Sequence, residues 1–212
     1  MQRKLKDRTC VNPACDTIFS PRNGFHTTCS ISCAQEYARH KTDKRKKKAW
    51  AQEKREWKID NDRPHQDKLT QQVFNRVRVL QEKIWYKSRG LEPVCISCGR
   101  PNMDWCAGHF KTRGAFPELR FDHANVFLQC NKRCNESLSG NIYGDRHSHG
   151  YHKGLMLRFG DDLGQEIIDY LESPHDPIKM TGRELYEFRL LLSRQERELK
   201  RELESVGSLG MF

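Results

Sequence analysis

Apolar side chains recur every three or four positions in two stretches of the chain, and this period predicts two amphipathic helices. The first stretch covers positions 68 to 90 and is predicted to end at Gly90, with its apolar side packed on the segment that follows. Its apolar side consists of Val73, Phe74, Val77, Leu80, Ile84 and Trp85. The second stretch begins with a capping box, Thr181 and Glu184, which predicts the start of a C-terminal helix.

The C-terminal helix carries apolar residues at a spacing typical of coiled coils. These residues are Leu185, Phe188, Leu192 and Leu199. Six Lys or Arg and six Asp or Glu between positions 181 and 204 cancel, so this helix is not expected to bind DNA. Two interpretations stay open: a brace within the chain, or the seam of a homodimer that Gln195 interrupts.

A third helical stretch, from Ser32 to Asp60, has no glycine, no proline and no apolar stripe. Between Arg39 and Lys58 it holds ten Lys or Arg against three Asp or Glu. Five consecutive cations lie on all sides of the helix: Lys44, Arg45, Lys46, Lys47 and Lys48. We expect an arm that contacts DNA phosphates, and the alternative is a merely solvated charged helix.

Short strands and loops are predicted between the helices. Positions 104–110 and 125–128 are predicted to form short strands, and a helix is expected from Cys134 onward. With 36% hydrophobic and 31% charged residues, the chain is expected to form small modules of an α+β class. We predict a knuckle over 1–38, a basic arm and an amphipathic helix over 39–90, a strand-and-helix module over 91–160, and C-terminal helices over 161–212.

Eight of the nine cysteines form two quartets with the spacing of structural zinc sites. The first quartet is Cys10, Cys15, Cys29 and Cys33; the second is Cys95, Cys98, Cys130 and Cys134. An odd cysteine count and the lack of an apolar leader favour a reducing cytoplasm over a secreted disulfide framework. The net charge of +10 indicates nucleic acid as the partner, and no membrane segment is evident.

The second quartet encloses a histidine and is followed by asparagine, as in the HNH nucleases. More closely, the segments CISCG, AGHF, PELRF, LQC, SGN and LRFG resemble the NinG/Rap recombination endonucleases of lambdoid phages. The resemblance implies an HNH-like ββα-metal module of treble-clef type. It also implies a metal-dependent endonuclease that cuts branched DNA such as Holliday junctions and D-loops. Such an enzyme would work in the cytoplasm of the bacterial host, with host recombination proteins as further partners.

The same resemblance assigns roles to three residues. His109 is expected to be the general base, and Asn125 to hold the His109 ring or its loop by hydrogen bonding. Asn135 is expected to bind a catalytic divalent cation, Mg²⁺, in addition to the two structural Zn²⁺ ions. A histidine near its ordinary pKa of ~6.5 can deprotonate water at neutral pH.

Two positions depart from the pattern of these enzymes. Gly108 stands where many HNH enzymes have Asp or His, and Cys106 stands where the phage relatives have Asp; Asp104 is a nearby substitute. Arg113 and Arg120 are candidate phosphate clamps, and the alternative is that both are exposed loop charges.

A non-catalytic reading fits the composition equally well. A zinc-scaffolded protein that binds branched DNA or recruits recombination partners would show the same quartets and the same basic arm. The histidines at 147, 149 and 152 either complete a metal site or lie in a loop that faces DNA.

Overall fold

A computed structural model describes residues 5–137 and 140–208 of the chain. The chain divides into two compact units, residues 1–58 and 59–212. Helices and two small sheets make up the fold, as the predicted α+β class requires, while the finer four-part division stays a prediction. Within the described ranges, no helix combines the length and the apolarity needed to cross a lipid bilayer.

The first unit contains the N-terminal knuckle and most of a long helix. Strands β1 (Arg8–Thr9) and β2 (Ile18–Phe19) pair antiparallel, and helix α1 (Ile31–Asn61) follows. The helix begins where the Ser30 hydroxyl accepts a hydrogen bond from the backbone N–H of Cys33 at 3.2 Å. Ile59 is its buried residue, so the predicted lack of an apolar stripe is confirmed.

Asp62 separates α1 from helix α2 (Arg63–Lys87). The Asp62 carboxylate caps α2 by accepting a hydrogen bond from the N–H of His65 at 3.2 Å. Pro64 is tolerated in the first turn because its missing N–H has no intrahelical partner there. After the helix ends, Gly90 adopts a φ of 66°, a left-handed conformation that glycine accepts without strain.

A β-hairpin lies at the centre of the second unit. Strand β3 (Trp105–His109) pairs antiparallel with β4 (Val126–Cys130), and His109 lies opposite Val126. A 3₁₀ turn (Pro117–Leu119) interrupts the loop between the strands. The helix expected from Cys134 differs from the prediction: a seven-residue π-helical segment, Asn131–Ser137, begins directly after β4.

Helices α3 (Gly150–Phe159) and α4 (Asp161–Glu172) cover one side of the hairpin. The two helices meet at Gly160, whose φ of 84° reverses the chain. Side chains from both helices and the hairpin region form one buried apolar cluster: Ile96, Phe110, Leu119, Phe127, Tyr151, Leu155, Ile168 and Leu171. This cluster fixes the strand that carries His109.

Helix α5 (Gly182–Ser208) packs along α2 within the same chain. Its capping box forms as predicted: the Thr181 N–H donates to the Glu184 carboxylate at 2.7 Å, and the Glu184 N–H donates to the Thr181 hydroxyl at 3.2 Å. Leu185 and Leu192 are buried, and Leu192 joins a cluster with Phe74 and Val77. The intramolecular brace is therefore confirmed, and the homodimer stays a prediction that would need another face of this helix.

Candidate nuclease and zinc sites

Each cysteine quartet brings four thiols close enough to bind one metal ion. Within each quartet, all four sulfur atoms lie within 4.8 Å of one another. The Sγ atoms of Cys15 and Cys29 are 3.6 Å apart, and those of Cys98 and Cys130 are 3.9 Å apart. A tetrahedral Zn²⁺ with Zn–S bonds of about 2.3 Å places its sulfurs roughly 3.8 Å apart. Both quartets therefore could hold structural zinc.

The second quartet joins the turn before β3 to the end of β4. The Cys95 turn is closed by a hydrogen bond from the Gly99 N–H to the Cys95 carbonyl at 2.8 Å. The N–H of Cys130 donates to the Cys95 sulfur at 3.3 Å, as expected for a thiolate that binds metal. The quartet thus fixes both strands of the hairpin.

The hairpin presents His109 at the wall of an open cleft of about 690 Å³. His109 is the last residue of β3, where the chain leaves the sheet for the loop that carries Arg113 and Arg120. The polar residues that line the cleft, together with His109, are Asn75, Cys106, Thr112, Arg113, Arg120, Asn131 and Asn135. The structure therefore gathers His109, Asn135 and both predicted arginines around one opening.

Its surroundings keep the His109 imidazole neutral. Its pKa is lowered from 6.5 to about 4, chiefly by burial and to a lesser degree by the charges of Arg113 and Arg120, while backbone carbonyls oppose the shift. The Nε2 atom lies 3.3 Å from the carbonyl oxygen of Arg120. Because a carbonyl only accepts hydrogen bonds, this contact favours the tautomer in which Nε2 carries the proton. A neutral imidazole can accept a proton from water, but a pKa of about 4 makes His109 a weaker base than the ordinary imidazole that the sequence predicted.

Arg120 is held at both ends beside His109. Its Nε donates to the Gln71 side-chain oxygen at 3.3 Å, and its guanidinium forms an ion pair with Asp67. The amide nitrogen of Gln71 in turn lies 3.4 Å from the Arg120 carbonyl, the same atom that accepts from His109. Arg113, by contrast, is an exposed residue at the rim of the cleft. Arg120 is thus a fixed charge, and Arg113 is a solvated one.

Asn125 is fully buried and binds the loop, not the ring of His109. Its side-chain oxygen accepts from the N–H of Lys111 at 2.7 Å. Its amide nitrogen donates to the carbonyls of Lys111 and Leu119, both at 3.0 Å. Of the two predicted arrangements, the contacts show the one in which Asn125 closes the loop after His109. A catalytic role for Asn125 stays a prediction.

The side chains around Asn135 that could act as metal ligands fit a magnesium ion poorly. The amide nitrogen of Asn135 lies 3.5 Å from the side-chain oxygen of Asn131. Within the part of the chain that the structure describes, no Asp or Glu lines this cleft. Mg²⁺ is usually bound through one or two carboxylates together with substrate phosphates. Burial raises the pKa of the Cys106 thiol to about 12, so Cys106 does not supply a thiolate in place of the missing carboxylates.

The structure explains why Gly108 departs from the HNH pattern, and it shows where Asp104, the predicted substitute for the Asp of the phage relatives, lies. A Cβ atom on Gly108 would lie 2.3 Å from the Gln129 side-chain oxygen, so packing leaves no room for Asp or His there. Asp104 is exposed and does not line the cleft. Among the described residues, the groups able to hold a metal are the two cysteine quartets, and none includes the histidines at 147, 149 and 152.

Sequence reasoning missed the buried groups that hold the hairpin. The Tyr151 hydroxyl accepts from the N–H of Phe127 at 3.0 Å and donates to the carbonyl of Gly108 at 2.9 Å, one residue before His109. The periodicity of α2 assigned only apolar residues to the core, but Arg78 and Glu82 are buried too. No local pattern distinguishes these polar residues from exposed ones.

Glu82 is the centre of a buried ion triad. Its carboxylate pairs with Arg78 at 3.4 Å and with Arg158 from α3, and it accepts from the N–H of Leu128 at 3.3 Å. Arg78 also donates to the Val126 carbonyl at 2.6 Å. The triad therefore links α2, α3 and β4 through charge-assisted hydrogen bonds.

The predicted phosphate-binding cations lie in the first unit. Residues 44 to 48, which are Lys44, Arg45, Lys46, Lys47 and Lys48, are all exposed on α1. Their exposure leaves every one of these charges accessible to a phosphate, while contact with DNA stays a prediction.

Comparison with known proteins identifies the family. The family described as Bacteriophage Lambda NinG protein matches residues 2–202. This chain belongs to the NinG family. The NinG protein of Escherichia phage lambda is 29% identical over 193 residues, which is 85% of this chain and 87% of that protein. For the NinG protein of Salmonella phage P22 the identity is 28% over 193 residues, with 85% and 88% covered.

A further relative matches a shorter part. The NinG protein of Escherichia phage 933W is 35% identical over 115 residues, which is 54% of this chain and 50% of that protein. No solved structure matches the chain. The predicted NinG resemblance is thereby confirmed along most of the sequence.

Proposed function

We propose that this NinG-family protein is an endonuclease that hydrolyses phosphodiester bonds in branched recombination intermediates, Holliday junctions and D-loops. The observation that carries the proposal is the neutral His109 at an open cleft that it shares with Arg113 and Arg120. A neutral imidazole beside fixed positive charge suits attack by water on an anionic phosphate. The expected setting is the cytoplasm of the bacterial host.

In this proposal His109 takes a proton from water through Nδ1 while the Arg120 carbonyl holds the Nε2 proton. The hydroxide attacks phosphorus while the P–O bond to the leaving 3′ oxygen breaks, and that oxygen takes a proton from solvent. Arg113 and Arg120 stabilise the charge that develops on the phosphate oxygens. Asn125 keeps the loop between the two strands in place. We interpret β3, β4 and the π-helical segment as an HNH-like ββα-metal module of treble-clef type.

Dependence on a divalent cation belongs to the same proposal, with Asn135 as the protein ligand. Because no carboxylate of the described cleft is available, the anionic ligands of Mg²⁺ would come from the DNA phosphate itself.

The test compares wild type, His109→Ala and His175→Ala on a four-way DNA junction and on linear duplexes of matching sequence, with and without Mg²⁺. His175 is a matched control because its ring also lies against a backbone carbonyl, that of Tyr170 at 2.8 Å, but it does not line the cleft. We expect wild type and His175→Ala to cut the junction. His109→Ala should bind it and cut at least ~100-fold more slowly, the size of a lost general base.

The second candidate is a non-catalytic zinc-scaffolded adaptor that binds branched DNA. The missing carboxylate in the described cleft favours it. Binding without cleavage by wild type, under every metal condition, would support the adaptor and contradict the endonuclease. Cleavage that His109→Ala retains would contradict the assigned base.

A further inference from the structure

One aromatic side chain of the basic helix α1 is exposed among cations. Trp50 is 62% exposed, although tryptophan usually buries most of its surface. Residues three and four positions away share its face, and these include Lys46, Lys47 and Lys54, with Glu53 as the acidic neighbour. The Nζ of Lys54 lies 4.9 Å from the centre of the Trp50 ring.

An exposed indole surrounded by ammonium groups suits an unpaired nucleobase better than the other occupants of such a surface. A second copy of the helix would bring ten more Lys or Arg against these ten and repel it. A nucleotide offers a π face for the indole and a phosphate for the lysines. In duplex DNA the base faces are already stacked on each other, so only unpaired bases can use the ring.

We propose that Trp50, with Lys46, Lys47 and Lys54, is a stacking site for an unpaired nucleobase of single-stranded DNA. The inference rests on the DNA-binding part of the proposed function and is independent of His109. Branched intermediates such as D-loops contain single-stranded segments, whereas linear duplexes do not. The site therefore gives the arm a preference for branched DNA with single-stranded segments, such as D-loops, that charge alone does not provide.

The chain offers a matched control in Trp57. Trp57 lies one heptad along the same helix face and is 61% exposed, close to the 62% of Trp50. Its neighbours at three and four positions include Glu53 and Asp60, with Lys54 as the cation. One lysine lies around Trp57 against three around Trp50, so a phosphate is held more weakly at Trp57. The proposal assigns the stacking to Trp50 alone.

The experiment measures binding of the zinc-loaded full-length protein to fluorescently labelled oligonucleotides, without added divalent cation. The probes are oligo-dT of about 12 nucleotides and a duplex of the same length. Trp50→Ala should weaken oligo-dT binding roughly 5- to 150-fold, the range for one stacked base. Trp50→Phe should keep most of the affinity. Trp57→Ala on oligo-dT, and Trp50→Ala on the duplex, should change affinity by less than about twofold.

Several outcomes would overturn the proposal. One is an unchanged affinity of Trp50→Ala for oligo-dT, and another is an equal loss of oligo-dT affinity in Trp50→Ala and Trp57→Ala. A third is a loss of affinity of Trp50→Ala on the duplex equal to its loss on oligo-dT. The last is a Trp50-dependent fluorescence change that anionic phospholipid vesicles cause and oligo-dT does not. Circular dichroism of Trp50→Ala checks that the exposed helix is intact. Junction cleavage by wild type is scored separately. If wild type fails to cut while Trp50→Ala loses oligo-dT binding, only the endonuclease proposal fails.

Discussion

The two cysteine quartets have the same ligands but opposite surroundings. Near the first, Phe25 is 95% exposed and Ile18 is 69% exposed, and the paired strands are only two residues long. In the second, Cys95 and Cys130 are 1% exposed and Cys134 is fully buried, at the end of a five-residue strand. The first quartet has little buried apolar surface around it, and the second quartet is part of a buried core.

The difference indicates what zinc contributes in each place. A loop-rich segment that buries little apolar surface has no other large source of folding free energy, so with zinc as its ligand its structure would depend on the metal. The hairpin around the second quartet is also held by the apolar cluster with Tyr151 and by the ion triad of Glu82. Zinc bound there would reinforce an arrangement that packing already favours.

Zinc removal should give the largest effect and the sharpest contrast. We expect a strong chelator to abolish amide-exchange protection over residues 8–30, because structural zinc contributes about 10–16 kcal/mol to folding of small zinc modules. Helices α2 and α5 should keep most of their protection. Hydrogen exchange followed by mass spectrometry measures both regions in one sample.

Cys15→Ser and Cys98→Ser form the matched pair for this comparison, since both thiols are partly exposed. Each should lower the zinc content by one ion per chain, but only Cys15→Ser should leave its module unprotected. If residues 8–30 kept their amide-exchange protection in Cys15→Ser, the first quartet would not depend on zinc more than the second, and the comparison would be wrong.

Loss of the Glu82 carboxylate should be the next largest effect and should be confined to the second unit. The Glu82 side chain is 5% exposed, so Glu82→Ala leaves two buried guanidinium groups uncompensated. We expect the free energy of unfolding to fall by about 3–5 kcal/mol, measured by urea titration. Glu172→Ala is the control: its side chain is 48% exposed in an ion pair with Lys111, worth at most ~1 kcal/mol. Equal losses would show that the triad does not support the hairpin.

Acid should lower the free energy of unfolding of the second unit through His109. This effect should be smaller than those of zinc removal and of Glu82→Ala. The pKa of His109 is about 4 in the fold against 6.5 without its surroundings. Between these pH values the unfolded chain binds more protons, so the free energy of unfolding decreases as pH falls from about 6.5 to about 4. The decrease attributable to this group is on the order of 3 kcal/mol. Urea titrations at several pH values should show a shallower slope for His109→Gln, and an unchanged slope would contradict the shift.

Local signals predicted much of the fold. Gly90 marked the end of α2, and the Thr181–Glu184 box marked the start of α5. Each acts within one turn of chain, so its effect can be deduced from neighbouring residues. The helix expected from Cys134 was shifted because the backbone after β4 turns directly into a π-helical segment, which no propensity signals.

The candidate site was predictable only in part. The spacing of Cys95, Cys98, Cys130 and Cys134 located the hairpin, and the family resemblance selected His109. The hydrogen bonds that hold Arg120 come from Gln71, which is 49 residues away, and this pairing has no sequence pattern. The absence of a carboxylate in the described cleft could likewise be seen only once the strands were paired.

The sequence by itself determined the two thiolate quartets, the charge of α1 and the ends of the helices, because these depend on residue type and on spacing over a few positions. Only the tertiary structure decided that α5 packs on α2, that Asn125 binds a loop and not a ring, and that Glu82 lies between two arginines. These contacts join residues far apart in the chain, and burial is what gives them their strength, since the same polar groups left in water would gain almost nothing by pairing.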